Sequence, residues 1–512
     1  MAVSFDTATS ARRWARSGLL LLVIYASLRA AAMAIAKPFW YDELFTWAMT
    51  HQPDVATLWN ALLNGGDSMT PVFELVERAC VGLPLPELGM RLPSIAGIVC
   101  VLLCLFAFVG RRSGAFYGLI AASIALLTQL YDPFAVEARA YSLLAACVAL
   151  ALVAYQRAPA PAWVALMGFA LALGQCLHYY AIFAFLPFIA AELYLTWQTR
   201  RARVGVWIAL AVGAAPLGFF WPLLARFKVL YGDTFWARPM LGTLYDAYGY
   251  FLKVSPFWGL AIAVVCGLAI IGALTWVHAD FPAHEDHVPP HERVLVFVLL
   301  AMPALVFAAT LLVGGAFSSR YVLYAVLGVP LAVGLILPRI GRPASIVLCS
   351  LLVLALVLQE SAFWLFHARA PGRMASPAAG AEALLLRANR PGLPVVVSDS
   401  HDYFVLTHYA SPMVAERLYW IADAAASLEY AGSDTDDRTL PLLARYFPLK
   451  VDHLDHFVAQ HPQYLLYSSQ VDDDLASADW WPQRLLRDGF QVTAVAADNA
   501  ALVFLVSAPA PR

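Results

Sequence analysis

The sequence predicts a polytopic α-helical membrane protein that ends in a small soluble α/β domain. Three observations predict it. Hydrophobic residues make up 61% of the 512 and charged residues only 13%, at a mean hydropathy of +0.68, outside the range of soluble domains. The apolar residues fall into long runs, about eleven of which suit a bilayer crossing. Beyond Phe363 that texture stops, and short apolar runs alternate with helical periodicities between Gly, Pro and Asn punctuation. A net charge of -2 gives no reason to expect a nucleic acid partner.

The expected spans are 18–36, 92–110, 114–130, 141–155, 163–177, 179–197, 204–224, 257–277, 294–313, 321–337 and 344–363. Arg12, Arg13 and Arg16 precede the first. Arg111, Arg112, Arg157, Arg200, Arg201, Arg203, Arg293, Arg339 and Arg342 then fall on the same side, which the positive-inside rule makes cytoplasmic. The first run continues directly into the acidic motif, so it reads as an uncleaved span. The expected layout is a multi-pass protein of the cytoplasmic membrane with a cytoplasmic N-terminus. Residues 1–363 form the membrane domain, with an outward loop at 37–90, and residues 364–512 form an extracytoplasmic α/β domain.

The outward connections carry the chemistry. Directly after the first span comes Lys37-Pro38-Phe39-Trp40-Tyr41-Asp42-Glu43-Leu44. Two adjacent acids among aromatics at a membrane surface are costly and point to function. Residues 55–63 and 71–82 have the spacing of interfacial amphipathic helices, with Glu74, Glu77 and Arg78 on the polar side of the second. The next outward connection holds Asp132, Glu137, Arg139 and Tyr141. Either an Asp132–Arg139 or Glu137–Arg139 pair pins that loop, or Arg139 meets a phosphate while an acid assists a reaction. His178, Tyr179 and Tyr180 mark another outward end and suit an aromatic belt as well as a site.

Two features run against the charge rule. The outward loop 225–256 is basic, with Arg226, Lys228, Arg238 and Lys253 among aromatics. Arg320, beside Tyr321, abuts the start of a span, where it can snorkel to headgroups or make bidentate hydrogen bonds to a phosphate. The inward stretch 279–293 is rich in His and acids, but its prolines make it a connector rather than a metal site. All seven cysteines precede the soluble tail, which therefore has no internal disulfide, and none shows metal-ligand spacing. In the tail, helices are expected at 375–389, 403–409, 436–446, 451–460 and 481–488. Strands are expected at 394–398, 415–421 and 463–468, and a hairpin at 491–496 and 501–506. No G-x-G-x-x-G fingerprint occurs, so nucleotide binding is not expected.

Four motifs, in order, resemble the C-type (GT-C fold) membrane glycosyltransferases of the protein-mannosyltransferase and aminoarabinose-transferase superfamily. They are the aromatic-Asp42-Glu43 pair after the first span, Arg91-Leu92-Pro93-Ser94 opening the second, Glu137-Ala138-Arg139-Ala140-Tyr141, and His178-Tyr179-Tyr180. The likeness covers roughly the first two hundred residues and then thins to topology and Arg320-Tyr321. One departure is Met69-Thr70-Pro71, where many relatives carry His-Pro-Pro.

The resemblance implies transfer of a sugar from a polyprenyl-phosphate donor to a lipid, glycan or protein hydroxyl on the outer face. It makes Asp42 the candidate base, with Glu43 its positioning partner or the base itself, and Glu137 or Asp132 a second acidic contact. Arg139, Lys253 and Arg320 become candidate phosphate ligands, with Tyr141, His178, Tyr179 and Tyr321 around them. No cofactor is required, because the leaving group is a lipid phosphate; a divalent metal at Asp42 and Glu43 stays open. Two other classes remain: a lipid-linked sugar flippase or transporter, and a non-catalytic envelope assembly protein.

Overall fold

The computed structural model describes residues 3–251, 288–340, 342–369, 376–469 and 480–509. The chain is a polytopic α-helical membrane protein with an α/β region near its C-terminus. Among the described residues, Arg12–Ala36, Pro86–Ser113, Tyr179–Thr199, Pro290–Val313, Ser319–Arg339 and Ser345–Phe366 are long and apolar enough to cross a bilayer. Val204–Phe219 with Trp221–Tyr231, bent by 52°, makes a seventh if taken together, and Ala115–Ala125, Tyr141–Tyr155 and Pro161–Leu177 are shorter apolar helices. Between them they cover every expected run except 257–277, which lies outside the described residues, as does Lys253.

The chain divides into two compact units. The first comprises Met1–Ile35, Met69–Trp221 and Ala237–Ala370, and the second Ala36–Ser68, Pro222–Trp236 and Pro371–Arg512.

In the first unit the Pro86–Ser113 helix packs against Ala115–Ala125 and Tyr141–Tyr155. Gly97 makes the second contact possible, since a Cβ there would lie 2.8 Å from the Ser142 carbonyl oxygen. Charges on helices are paired. Arg112 donates to both carboxylate oxygens of the buried Glu292, at 2.9 and 2.5 Å, and Arg203 pairs with the buried Glu192. Such pairing is what a charge in an apolar setting requires. Glu292 belongs to the stretch 279–293, whose last residues thus join a helix and an ion pair.

The Pro71–Arg78 helix reverses one expectation. Glu74 and Glu77 are fully buried, while Leu75 is 37% exposed. Phe73 is buried with them, so the helix packs its acids and an aromatic on the same inward side, where amphipathicity read with water as the surroundings turns the acids outward.

The second unit is built on a six-stranded sheet of order β3-β2-β1-β4-β6-β5. Its strands are β1 (Val395–Val397), β2 (Leu418–Ile421), β3 (Val451–Asp452), β4 (Gln463–Ser469), β5 (Gln491–Ala497) and β6 (Ala501–Ser507). β3, β2, β1 and β4 run parallel, and the β5–β6 hairpin adds antiparallel to β4. All three residues of β1 are buried, as a short central strand covered by helices must be. The stretch 451–460 begins as β3 and becomes helical only from Leu454. Ala424–Ala431, closed by Gly432 at φ 71°, is a helix that its mixed periodicity hid.

Candidate active site

The two groups of residues singled out above fall in different units. Asp42 and Glu43 lie in the second, in the first turn of the Tyr41–Thr50 helix. The two carboxylates are held differently. Glu43 is fully buried, and its Oε2 accepts from the Trp40 amide at 3.2 Å, capping its own helix. Asp42 is partly exposed. An acid in the first turn is favoured by the helix dipole, so both are consistent with the local fold.

The segment is moored within the second unit by the Ser400–Tyr409 helix. The Phe39 amide donates to Tyr409 Oη at 2.6 Å, and the Tyr41 ring lies 4.1 Å from that of His401 and 6.1 Å from Phe404. Tyr41 Oη donates to Asp436 Oδ1 at 2.7 Å, while Ser400 Oγ donates to Asp436 Oδ2 at 2.7 Å. Burial, then Asp436, push the Tyr41 phenol well above its ordinary pKa, so it stays a donor. His401 sits 3.6 Å from Asp399. Its side chain is 47% exposed, so burial disfavours the charged form only in part, and Asp399, then Asp436 and Asp42, outweigh that and raise its pKa to about 9.

In the first unit the motifs meet. Arg91, fully buried, donates to the Ala34 carbonyl at 2.7 Å and so ties the second span to the end of the first. One turn on, Ser94 Oγ donates to the carbonyl of Glu137 at 2.6 Å and lies 3.2 Å from that of Arg139. The Arg91-Leu92-Pro93-Ser94 run thereby holds the Glu137-Ala138-Arg139 backbone in place. Glu137 and Arg139 are both buried.

Tyr141 and His178 lie 5.6 Å apart by ring centroids, His178 and Tyr321 5.5 Å, and the Arg320 guanidinium is 6.0 Å from the Tyr141 ring. His178 Nδ1 accepts from the Tyr180 amide at 3.1 Å, which leaves the ring proton on Nε2. Burial first, then the charges of Arg139 and Arg320, lower the His178 pKa to about 3, so it is a neutral donor. Tyr179 Oη reaches the Met69 carbonyl at 3.5 Å. Thr70 caps the Pro71–Arg78 helix and donates to the Cys176 carbonyl at 2.6 Å. Asp132 accepts from Arg29 of the first span at 3.2 Å, and Arg29 also pairs with Glu360 at 2.8 Å.

Reading the sequence alone missed four participants. Tyr250, in the basic loop, packs 5.6 Å from Phe134; burial raises its pKa, and the charges of Arg320 and Glu137 both act on its hydroxyl. Arg29 sits inside an apolar run, where the cost of an unpaired charge was itself the signal that a carboxylate must face it. His401 and Asp399 lie far along the chain, and nothing local marks them. Among the described residues, no group of three His, Cys, Asp or Glu side chains is arranged to hold a metal ion.

No family model matches the sequence, and neither does any curated protein. Among solved structures, ArnT from Cupriavidus metallidurans bound to undecaprenyl phosphate is 16% identical, with 96% of this chain and 98% of that one covered at a TM-score of 0.42. Its apo form is 15% identical over the same shares at 0.43. The Archaeoglobus fulgidus oligosaccharyltransferase in complex with zinc and sulfate is 10% identical, over 86% of this chain and 67% of that one, at 0.43. Superpositions this loose carry no residue roles across.

Proposed function

We propose that this chain is a membrane glycosyltransferase that moves a sugar from a polyprenyl-phosphate donor to an acceptor hydroxyl at the outer face of the cytoplasmic membrane. The observation that carries the reading is the convergence of Arg139 and Arg320, from segments far apart in the chain, on the neutral His178 and the Tyr141 ring. Two guanidiniums whose charges both reach one buried imidazole favour an anion there, and a lipid phosphate leaving group is such an anion. His178 Nε2–H and the Tyr321 hydroxyl are donors of the kind that would complete its binding.

In the proposed reaction the acceptor oxygen attacks the anomeric carbon and the carbon–oxygen bond to the donor phosphate breaks. The bonding pair leaves on the phosphate, and the acceptor proton passes to the Asp42 carboxylate. Asp42 is assigned the base because it is partly exposed, while Glu43 is fully buried and accepts from the Trp40 amide. Glu137 is assigned to orient Arg139 and the donor. Asp132 is assigned to hold the outer end of the first span through Arg29. The acceptor belongs to one of the three classes of envelope lipid, glycan or protein.

The test supplies purified full-length protein with undecaprenyl-phosphate hexose and pentose donors and follows release of undecaprenyl phosphate. Arg320→Gln is expected to raise the donor KM at least tenfold, and Asp42→Asn to lower kcat by about 10²–10⁴. Undiminished transfer by Asp42→Asn refutes the assignment of the base. Donor that crosses the bilayer without being consumed makes the protein a flippase instead.

A further inference from the structure

Parallel α/β sheets take their ligands at the carboxyl ends of the strands. In the second unit that edge is formed by the residues after β1, namely Asp399, Ser400 and His401, and by Asp436 at the start of the Thr435–Leu443 helix that follows β2. Tyr41 occupies it, with its ring on His401 and its hydroxyl on Asp436, and Ser400 bonds the other oxygen of the same carboxylate. The α/β region therefore uses its ligand edge to hold the chain's own Asp42 segment. Asp399 serves twice there, capping the Ser400–Tyr409 helix through the Asp402 amide at 3.0 Å and facing the His401 ring.

We infer that His401, backed by Asp399, is a positioning residue for Asp42, its imidazolium keeping the Asp42 carboxylate ionised and turned for the acceptor hydroxyl. This rests on the reading of Asp42 as the base. The side chains packed on His401 are Asp399 from its own loop, at 3.6 Å, and the Tyr41 ring, at 4.1 Å; the charges of Asp436, which bonds Tyr41 and Ser400, and of Asp42, next to Tyr41 in the docked helix, also act on the imidazole. Three carboxylates acting on one imidazole favour its charged form, and a cation whose charge reaches Asp42 favours the carboxylate over the acid. Charge on His401 persists up to about pH 9, so the device is set throughout the neutral range.

The experiment measures kcat and KM of full-length protein against pH with the same undecaprenyl-phosphate donors, alongside thermal midpoints. Wild type is expected to lose activity on the alkaline side near pH 9. His401→Gln removes that limb, lowers kcat about tenfold and moves the acidic limb up by about half a unit or more, with donor KM unchanged within about twofold. His401→Lys restores the acidic limb and carries the alkaline one above 9. Asp399→Asn moves the alkaline limb below 9, since it removes the main partner of the imidazolium. A lower midpoint with both limbs unmoved in all three variants means that His401 only packs, and overturns the inference. Wild-type transfer by Asp42→Asn in the same series instead removes the reading on which it rests.

Discussion

Replacing Glu43 in two ways separates the roles of the adjacent acids. Glu43 is fully buried and its carboxylate accepts from the Trp40 amide. Glu43→Gln keeps an oxygen acceptor and the side-chain volume, and exchanges a charge-assisted hydrogen bond for a neutral one at about 1 kcal/mol. Glu43→Ala removes the acceptor and leaves a cavity, for about 2–4 kcal/mol. For a unit of this size each kcal/mol is worth about 2–4 °C. The thermal midpoint of detergent-purified protein should therefore fall by about 3 °C for Gln and on the order of 10 °C for Ala. If Glu43 only caps the helix, Gln retains transfer within about threefold, whereas Asp42→Asn loses about 10²–10⁴, or about 3–5 kcal/mol of transition-state stabilisation. The assay is donor turnover at a temperature well below every midpoint. A Gln variant as stable as expected but more than a hundredfold slower makes Glu43 the base and refutes the assignment to Asp42.

Two further predictions concern stability. Glu292→Gln removes the whole negative charge facing the Arg112 guanidinium and puts an NH2 donor where one of its two acceptor oxygens was; it should destabilise the first unit by about 3–5 kcal/mol, and Arg112→Met with Glu292→Leu should recover most of the loss. A double-mutant cycle on the thermal midpoint checks this, and additive losses refute it. Asp437 is raised from 3.8 to about 6 by burial. Its folded pKa lies above the unfolded one, so the protonated group stabilises the fold below about pH 4, and that contribution is lost as pH rises through 6. Asp437→Asn keeps an acceptor for the Asp423 amide without the charge, and should gain up to about 3 kcal/mol over wild type between pH 4 and 7. A gap between the two proteins that does not change with pH contradicts it.

The membrane class, the position of each described span and the alternation of helix and strand in the tail were determined by the sequence itself. Each depends on a local property: the length of an apolar run, the period of its pattern, or the Gly and Pro that end it. Local reading failed where the surroundings decide, as with Glu74 and Glu77, which the tertiary packing turns inward although their helical spacing reads as a polar outer face. The residues of the candidate site were visible because a charge beside a membrane span is expensive and therefore conspicuous. Their partners were not. Arg29 with Asp132 and Glu360, Ser94 under Glu137 and Arg139, and Tyr250 beside Arg320 are separated by tens to hundreds of residues, and only folding brings them together. The same holds for His401. Nothing in Ser400-His401-Asp402 marks chemistry until the tertiary structure lays the Tyr41 ring on that imidazole, because a charge cluster is defined by distance in space rather than spacing along the chain.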